Sequence, residues 1–245
     1  MSTYLVGDNQ ELIKNLEDNS IDLLITSPPY KDEDGYLDID FEYLYKQLYR
    51  VAKKGSLFWL NFGHLAHQKE RPFLNCLTAI ESGWKLNDTF IWLKTQYKPL
   101  QGNKRVNNLT EFIFLLYKGD MPGIDRLSIG VPYKDKGNIG RYADRDLKCR
   151  GNLWEVGYET IQKSEQKYHF DRFPLDIPRM CIKISNVKTG TVLDPFAGSG
   201  TTLIAATESN LDSIGFDKQE KYKYIFEKRC LALDLAKNKP IKTES

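Results

Sequence analysis

Thr191-Val-Leu-Asp-Pro-Phe-Ala-Gly-Ser-Gly-Thr-Thr-Leu-Ile-Ala-Ala206 is the most informative stretch of the chain. Thr191 to Leu193 is a short apolar run, Asp194 to Gly200 a Gly-rich turn, and Thr201 onward has helical spacing. Gly198 and Gly200 permit backbone conformations and close approaches that side chains would block. A helix starting at Thr201 would direct its N-terminal amides at whatever occupies the turn. Strand, turn and helix therefore predict a small-ligand site. The next apolar run ends in Asp217, about 20 residues on, the separation at which a carboxylate in a βαβ unit accepts hydrogen bonds from ribose hydroxyls. An adenosine-type ligand follows. A nicotinamide dinucleotide is disfavoured, because Leu203 stands where G-x-G-x-x-G has its third glycine and Asp194 would set a negative charge near a pyrophosphate. That carboxylate suits a ligand carrying an ammonium group. A G-x-G turn alone is as often a bare strand-helix junction; Asp194 and Asp217 weigh against that reading.

Similar apolar runs recur along the chain at 4–6, 21–25, 56–61, 89–93, 111–117 and 213–216. Between them lie stretches with helical spacing at 41–53, 65–82, 175–185, 201–209 and 218–237. Strands alternating with helices predict an α/β fold with a largely parallel sheet. The 245 residues, 41% of them hydrophobic, suit one core with an inserted region. Residues 1–118 and 169–245 read as two halves of that domain. Residues 119–168, rich in Gly, Lys, Arg, Asp and Tyr, break the rhythm and read as an insertion. No apolar run reaches membrane-spanning length and the first residues have no signal pattern, so a cytoplasmic setting is expected. Cys76, Cys149, Cys181 and Cys230 form no C-x-x-C pair, so neither a metal site nor a disulfide framework is indicated.

A second informative stretch, Ile21-Asp-Leu-Leu-Ile-Thr-Ser-Pro-Pro-Tyr30, is a buried strand running into two prolines. Proline fixes φ and removes an N–H, so Ser27, Pro28 and Pro29 form a stiff strand end rich in hydrogen-bond acceptors. It suits a donor such as an amino group, and Tyr30 offers a flat face for a base. The plainer reading, a strand stopped by prolines with Tyr30 in the core, weighs equally on this fragment alone.

Taken together, TSPPY at 26–30 and DPFAGSGTT at 194–202 resemble the β class of amino-methylating DNA methyltransferases, in which a (D/N/S)PP(Y/F) motif precedes FxGxG. The resemblance covers nearly the whole chain. It implies a Rossmann-like fold with a seven-stranded, mostly parallel sheet and helices on both faces, S-adenosylmethionine as cofactor, and double-stranded DNA as substrate. It places Ser27, Pro28, Pro29 and Tyr30 at the reacting amino group. It places Asp8, His169, Phe173, Pro174, Asp194, Pro195, Phe196, Gly198, Ser199, Gly200, Thr201, Thr202 and Asp217 around the cofactor. Asp171 departs from the small residue usual between that histidine and phenylalanine. Trp92-Leu-Lys94, Glu111 and Trp154 fall at landmarks of the fold. In the family SPPY usually accompanies N4 of cytosine and DPPY N6 of adenine, so N4-methylcytosine is the expected product and N6-methyladenine the alternative. No cysteine follows a proline, unlike the nucleophile of carbon-5 cytosine enzymes. The target base would be flipped from the duplex, without a metal. A homodimer and a cognate restriction endonuclease are the further partners the resemblance implies.

The net charge of +2 conceals an asymmetry, since residues 94–150 hold twelve Lys and Arg against six Asp and Glu while the rest of the chain is net negative. Lys98, Lys104, Arg105, Lys134, Lys136, Arg141, Arg145 and Arg150 are the candidate DNA contacts, able to follow phosphates or present Arg to base edges. A charge-rich loop is also an ordinary solvated surface, and for any one of these residues that reading is the more common.

Overall fold

Parallel strands covered on both faces must be apolar nearly throughout, and the runs at 21–25 and 191–193 form such strands at the centre of the sheet. The chain is described by a computed structural model at residues 1–29, 39–63, 68–96, 104, 106–141, 145–157 and 174–237, with backbone only at 234–237. The strands are β1 (Ser2–Val6), β2 (Ile21–Thr26), β3 (Ala52–Phe62), β4 (Lys85–Lys94), β5 (Thr110–Tyr117), β6 (Leu153–Val156), β7 (Thr191–Asp194) and β8 (Asp212–Asp217). The helices are α1 (Asn9–Leu12), α2 (Phe41–Val51), α3 (Arg71–Glu81), α4 (Asp176–Ser185), α5 (Thr201–Glu208) and α6 (Glu220–Lys237). The strands make one sheet in the order β1-β8-β7-β2-β3-β5-β4-β6. All pairs are parallel except β3 with β5 and β5 with β4.

Side chains alternate between the two faces of the sheet. Leu24, Phe58, Leu60 and Phe62 pack with Leu44, Tyr45, Leu48, Cys76 and Ala79 of α2 and α3. Leu23, Ile25, Leu57 and Trp59 pack on the other face with Ile177, Cys181 and Ile182 of α4 and Ala205 and Ala206 of α5. Helices therefore cover both faces, as expected. No helix of the described residues is long and apolar enough to cross a membrane.

Three details differ from expectation. The sheet has eight strands rather than seven. The additional strand, β6, comes from the segment read as an insertion and pairs with β4, placing Trp154 against Trp92. Its buried ring lies 4.7 Å from Phe90 and 5.8 Å from Trp59. A four-residue Leu-Trp-Glu-Val is too short to show a period. α2 ends at Val51 rather than Lys53, because Ala52 pairs with Ile21 as the first residue of β3. α3 begins at Arg71, with a proline in its first turn.

Lys118, just beyond β5, ties the end of that strand to α2 and to the turn before β2. Its ammonium donates to Asn19 Oδ1 (2.9 Å) and to the carbonyls of Tyr49 and Ala52 (both 2.7 Å), at the C-terminal end of α2. It also lies 4.7 Å from the centre of the Tyr49 ring. Lys118→Met keeps the aliphatic stem and strips all three bonds. It is expected to cost about 2 kcal/mol and lower the melting temperature by about 6 °C in a thermal unfolding scan.

Candidate active site

β2 and β7 pair in parallel through Leu23 with Val192 and Leu24 with Leu193, so both strands end at the same rim of the sheet. On one side β7 leads to β8 and β1, on the other β2 leads to β3. Such a reversal opens a crevice at the carboxyl ends of the strands, where open α/β sheets take their ligands. There the Thr26 hydroxyl donates to Asp194 Oδ1 at 2.6 Å, across 168 residues of sequence. The Phe196 N–H donates to the same oxygen at 3.0 Å. Asp194 is only 4% exposed. Burial, with a smaller push from Asp217, raises its carboxyl pKa to about 6 against the lowering effect of Thr26, Thr202 and the Phe196 amide. The Thr202 hydroxyl is near enough to act on this carboxyl yet has no partner in hydrogen-bond geometry among the described residues.

The Gly-rich turn is held from several sides. Gly198 and Gly200 have φ of 49° and 76°, in the left-handed region. A Cβ on Gly198 would come no closer than 4.0 Å to any described atom, the Phe196 carbonyl oxygen, whereas one on Gly200 would lie 2.2 Å from the Phe226 ring. Gly198 thus leaves room beside the turn, and Gly200 is required by the packing of α6 against it. Tyr4 donates its hydroxyl hydrogen to the Gly198 carbonyl at 2.6 Å. Arg229 Nη1 donates to Ser199 O, Ser199 Oγ and Thr201 Oγ1 at 2.8, 3.0 and 2.9 Å.

Asp217, at the end of β8, accepts from the amides of Gly198 (3.1 Å) and Gln219 (2.8 Å). The two amides bind one carboxylate oxygen each and so fix its plane at the end of the strand. Asp8 caps α1 through the Gln10 N–H and pairs with Lys218 at 2.9 Å. Burial raises its pKa, but the bonds to Lys218 and Gln10 prevail and hold it below the usual value. Asn9, buried, donates to the Pro195 carbonyl at 3.0 Å. Pro174 is buried just before α4, and Phe196 packs in the core with its ring 6.3 Å from Phe41.

Ser27 leaves β2 half-buried, followed by buried Pro28 and half-buried Pro29. Its hydroxyl oxygen accepts from Asn61 Nδ2 at 3.1 Å. The same amide donates to Glu111 Oε2 at 2.9 Å, and Lys94 pairs with Glu111 at 2.6 Å. Tyr30, Lys98, Arg105, His169 and Phe173 lie outside the described residues. Tyr4, Asn9, Thr26, Asn61, Glu111 and Arg229 were not among the residues expected at the site. Thr26 and Asn9 adjoin quoted motifs, while Arg229 is one polar position in a helix otherwise unremarkable in sequence.

The basic segment is partly committed to its own structure. Arg150 donates to the Ile129 carbonyl at 3.0 Å, and Lys136 pairs with Asp146, which also accepts from the Tyr133 N–H. Lys104, Lys134, Arg141 and Arg145 are exposed.

The profile of the DNA methylase family of N6 and N4 methyltransferases matches residues 21–228. The chain belongs to that family. Among curated DNA methylases, the Type II methyltransferase M.SmaI of Serratia marcescens is 27% identical, over 93% of this chain and 90% of the relative. The orphan methyltransferase M.BamHII of Bacillus amyloliquefaciens is 30% identical, over 85% and 88%. The solved PvuII DNA methyltransferase, described as cytosine-N4-specific, superposes with a TM-score of 0.71 at 19% identity, covering 99% of this chain and 88% of that one. The M1.HpyAVI complex with S-adenosylmethionine gives 0.64 at 22%, over 94% and 100%. The DNA methylase fold thus extends over essentially the whole chain.

Proposed function

We propose that this DNA methylase transfers a methyl group from S-adenosylmethionine to N4 of a cytosine flipped out of double-stranded DNA. The observation that carries the reading is the Thr26–Asp194 hydrogen bond, which sets the Ser27-Pro28 strand end directly beside the Gly-rich turn. A donor held in the turn and an amino group held at Ser27 are then neighbours. The residues of the turn fit the cofactor: Gly198 leaves space for a ligand, Asp194 offers a carboxylate to an ammonium, and Asp217 stands at the end of the next strand. The cofactor supplies an electrophilic methyl on a sulfonium, and its transfer leaves a neutral thioether.

The rest falls to the protein. An exocyclic amino nitrogen is a weak nucleophile because its lone pair is delocalised into the ring. Ser27 Oγ and the Pro28 carbonyl accept its two hydrogens and hold them out of the ring plane, which localises the lone pair. As the N–C bond forms the positive charge passes from sulfur to that nitrogen, which then gives up one of those protons to solvent water. Tyr30 stacks on the extruded base, offsetting a few kcal/mol of unstacking. Exposed Lys104, Lys134, Arg141 and Arg145 follow DNA phosphates. The choice of cytosine rests on Ser27 and is supported by the likeness to the cytosine-N4-specific PvuII enzyme.

Expression in a host lacking DNA methylation, with digestion to nucleosides and mass spectrometry, is expected to yield N4-methylcytosine. With Ser27→Ala the rate should fall by about 100-fold, as for loss of one oriented polar contact in a transition state. N6-methyladenine would overturn the choice of base, and no methylated base from soluble protein would overturn the function.

A further inference from the structure

We infer that Asn61, Glu111 and Lys94 are positioning residues for Ser27, forming a buried relay of fixed hydrogen bonds that orients its hydroxyl for the reaction; this rests on the proposed function. The network runs strand by strand through β2, β3, β5 and β4, which are consecutive in the sheet. Thr26 pairs with Leu60, so Ser27 follows opposite Asn61. Asn61 pairs with Ile113 and Trp92 with Glu111. In a pleated sheet Glu111 and Lys94, each two residues from such a partner, therefore project to the same face as Asn61. The contacts agree, at 3.1 Å from Asn61 to Ser27, 2.9 Å to Glu111 and 2.6 Å from Glu111 to Lys94.

The chemistry of the group identifies its role. A buried ion pair costs desolvation that its own attraction only roughly offsets, so its presence is poorly explained by stability. Asn61 is 1% exposed and Glu111 5%. An amide has two nearly isosteric orientations, and Glu111 selects one of them. A carboxylate can only accept, so it draws Nδ2 towards itself and places the second amide hydrogen on Ser27. Lys94 holds the other oxygen of that carboxylate, at 2.6 Å. Because a carboxamide does not pass protons on, Asn61 fixes the direction of the Ser27 hydroxyl without serving as a base. Cytosine and adenine both present an amino group beside a ring nitrogen acceptor, so the network serves either base.

The test uses the whole chain, steady-state methyl transfer to DNA and calorimetry of S-adenosylmethionine binding. Lys94→Met with Glu111→Leu removes the pair without leaving a lone buried charge, and such replacements are commonly tolerated in folding. The expected result is a kcat at least about 10-fold lower, with KM for DNA and cofactor Kd within about twofold of the parent. Asn61→Asp with Glu111→Gln keeps one negative charge near Lys94 and an unambiguous bond to Ser27, now with Ser27 as donor. It should return kcat to within about threefold of the parent. An unchanged kcat in the first variant, or a loss appearing equally in cofactor Kd, overturns the inference while leaving the function standing. An inactive parent protein in the same assay overturns both.

Discussion

Asp194→Asn is expected to leave the ligand-free protein at least as stable as the parent at pH 7 while weakening S-adenosylmethionine binding by about 100-fold, roughly the loss of one charge-assisted contact. The hydrogen bonds from Thr26 and Phe196 both fall on Asp194 Oδ1, which an asparagine retains. Its amide could then donate to the nearby Thr202 hydroxyl, which has no described partner. Burial raises the Asp194 pKa from 3.8 to about 6. A shift of this size corresponds to roughly 3 kcal/mol of destabilisation once the group is ionised. Between those two values the folded state holds more protons than the unfolded one, so this contribution to stability falls as pH rises from about 4 to 6 and stays lost above. Asparagine removes that slope. The opposite sign applies to the ligand, whose ammonium needs the ionised carboxylate: in the parent protein affinity should drop by about tenfold per pH unit below 6, and in the variant it should be flat. Thermal unfolding and calorimetry between pH 4 and 8 measure both. A variant melting several degrees below the parent at pH 7 would show that the charge itself holds the turn together.

Gly200→Ala should be the most damaging small substitution in the turn. At φ 76° an alanine is strained, and its Cβ would fall 2.2 Å from the Phe226 ring. About 1 kcal/mol of backbone strain and about 2 of overpacking predict a melting temperature lower by about 10 °C. Phe226→Leu opens that contact, so the double variant should be less destabilised than the sum of the two single changes, by about 1 kcal/mol in a double-mutant cycle. Strict additivity would remove the steric account. Gly198→Ala, with no atom closer than 4.0 Å, should cost only the backbone strain and act mainly on ligand affinity.

What the sequence made legible follows from scale. Each apolar run of three to seven residues became a strand, and those at the sheet centre, β2 and β7, are buried on both faces. β6 escaped notice because Leu153 and Glu155 are exposed and only Trp154 and Val156 are buried, leaving two residues to carry the pattern. The ends of α2 and α3 moved for a related reason: helical spacing in 41–53 continues smoothly into Ala52, and only the distant Ile21 draws that residue into the sheet. At the site, Ser27, Asp194 and Asp217 could be read from local motifs. Asn61 and Arg229 could not, since each is an ordinary polar residue until tertiary pairing brings it within 3.1 Å of its target, and Glu111 stood out only as a landmark of the fold.

The Thr26–Asp194 bond joins residues that share a strand boundary and almost nothing else in sequence. Neither half reaches the other through the loop that links them; they meet where β2 lies against β7. A gene rearrangement that exchanged the order of the two halves would leave that boundary, and every hydrogen bond crossing it, unchanged. The centre is therefore insensitive to the order in which its parts are translated and sensitive only to their adjacency, which frees the connecting segments to diverge in length and charge.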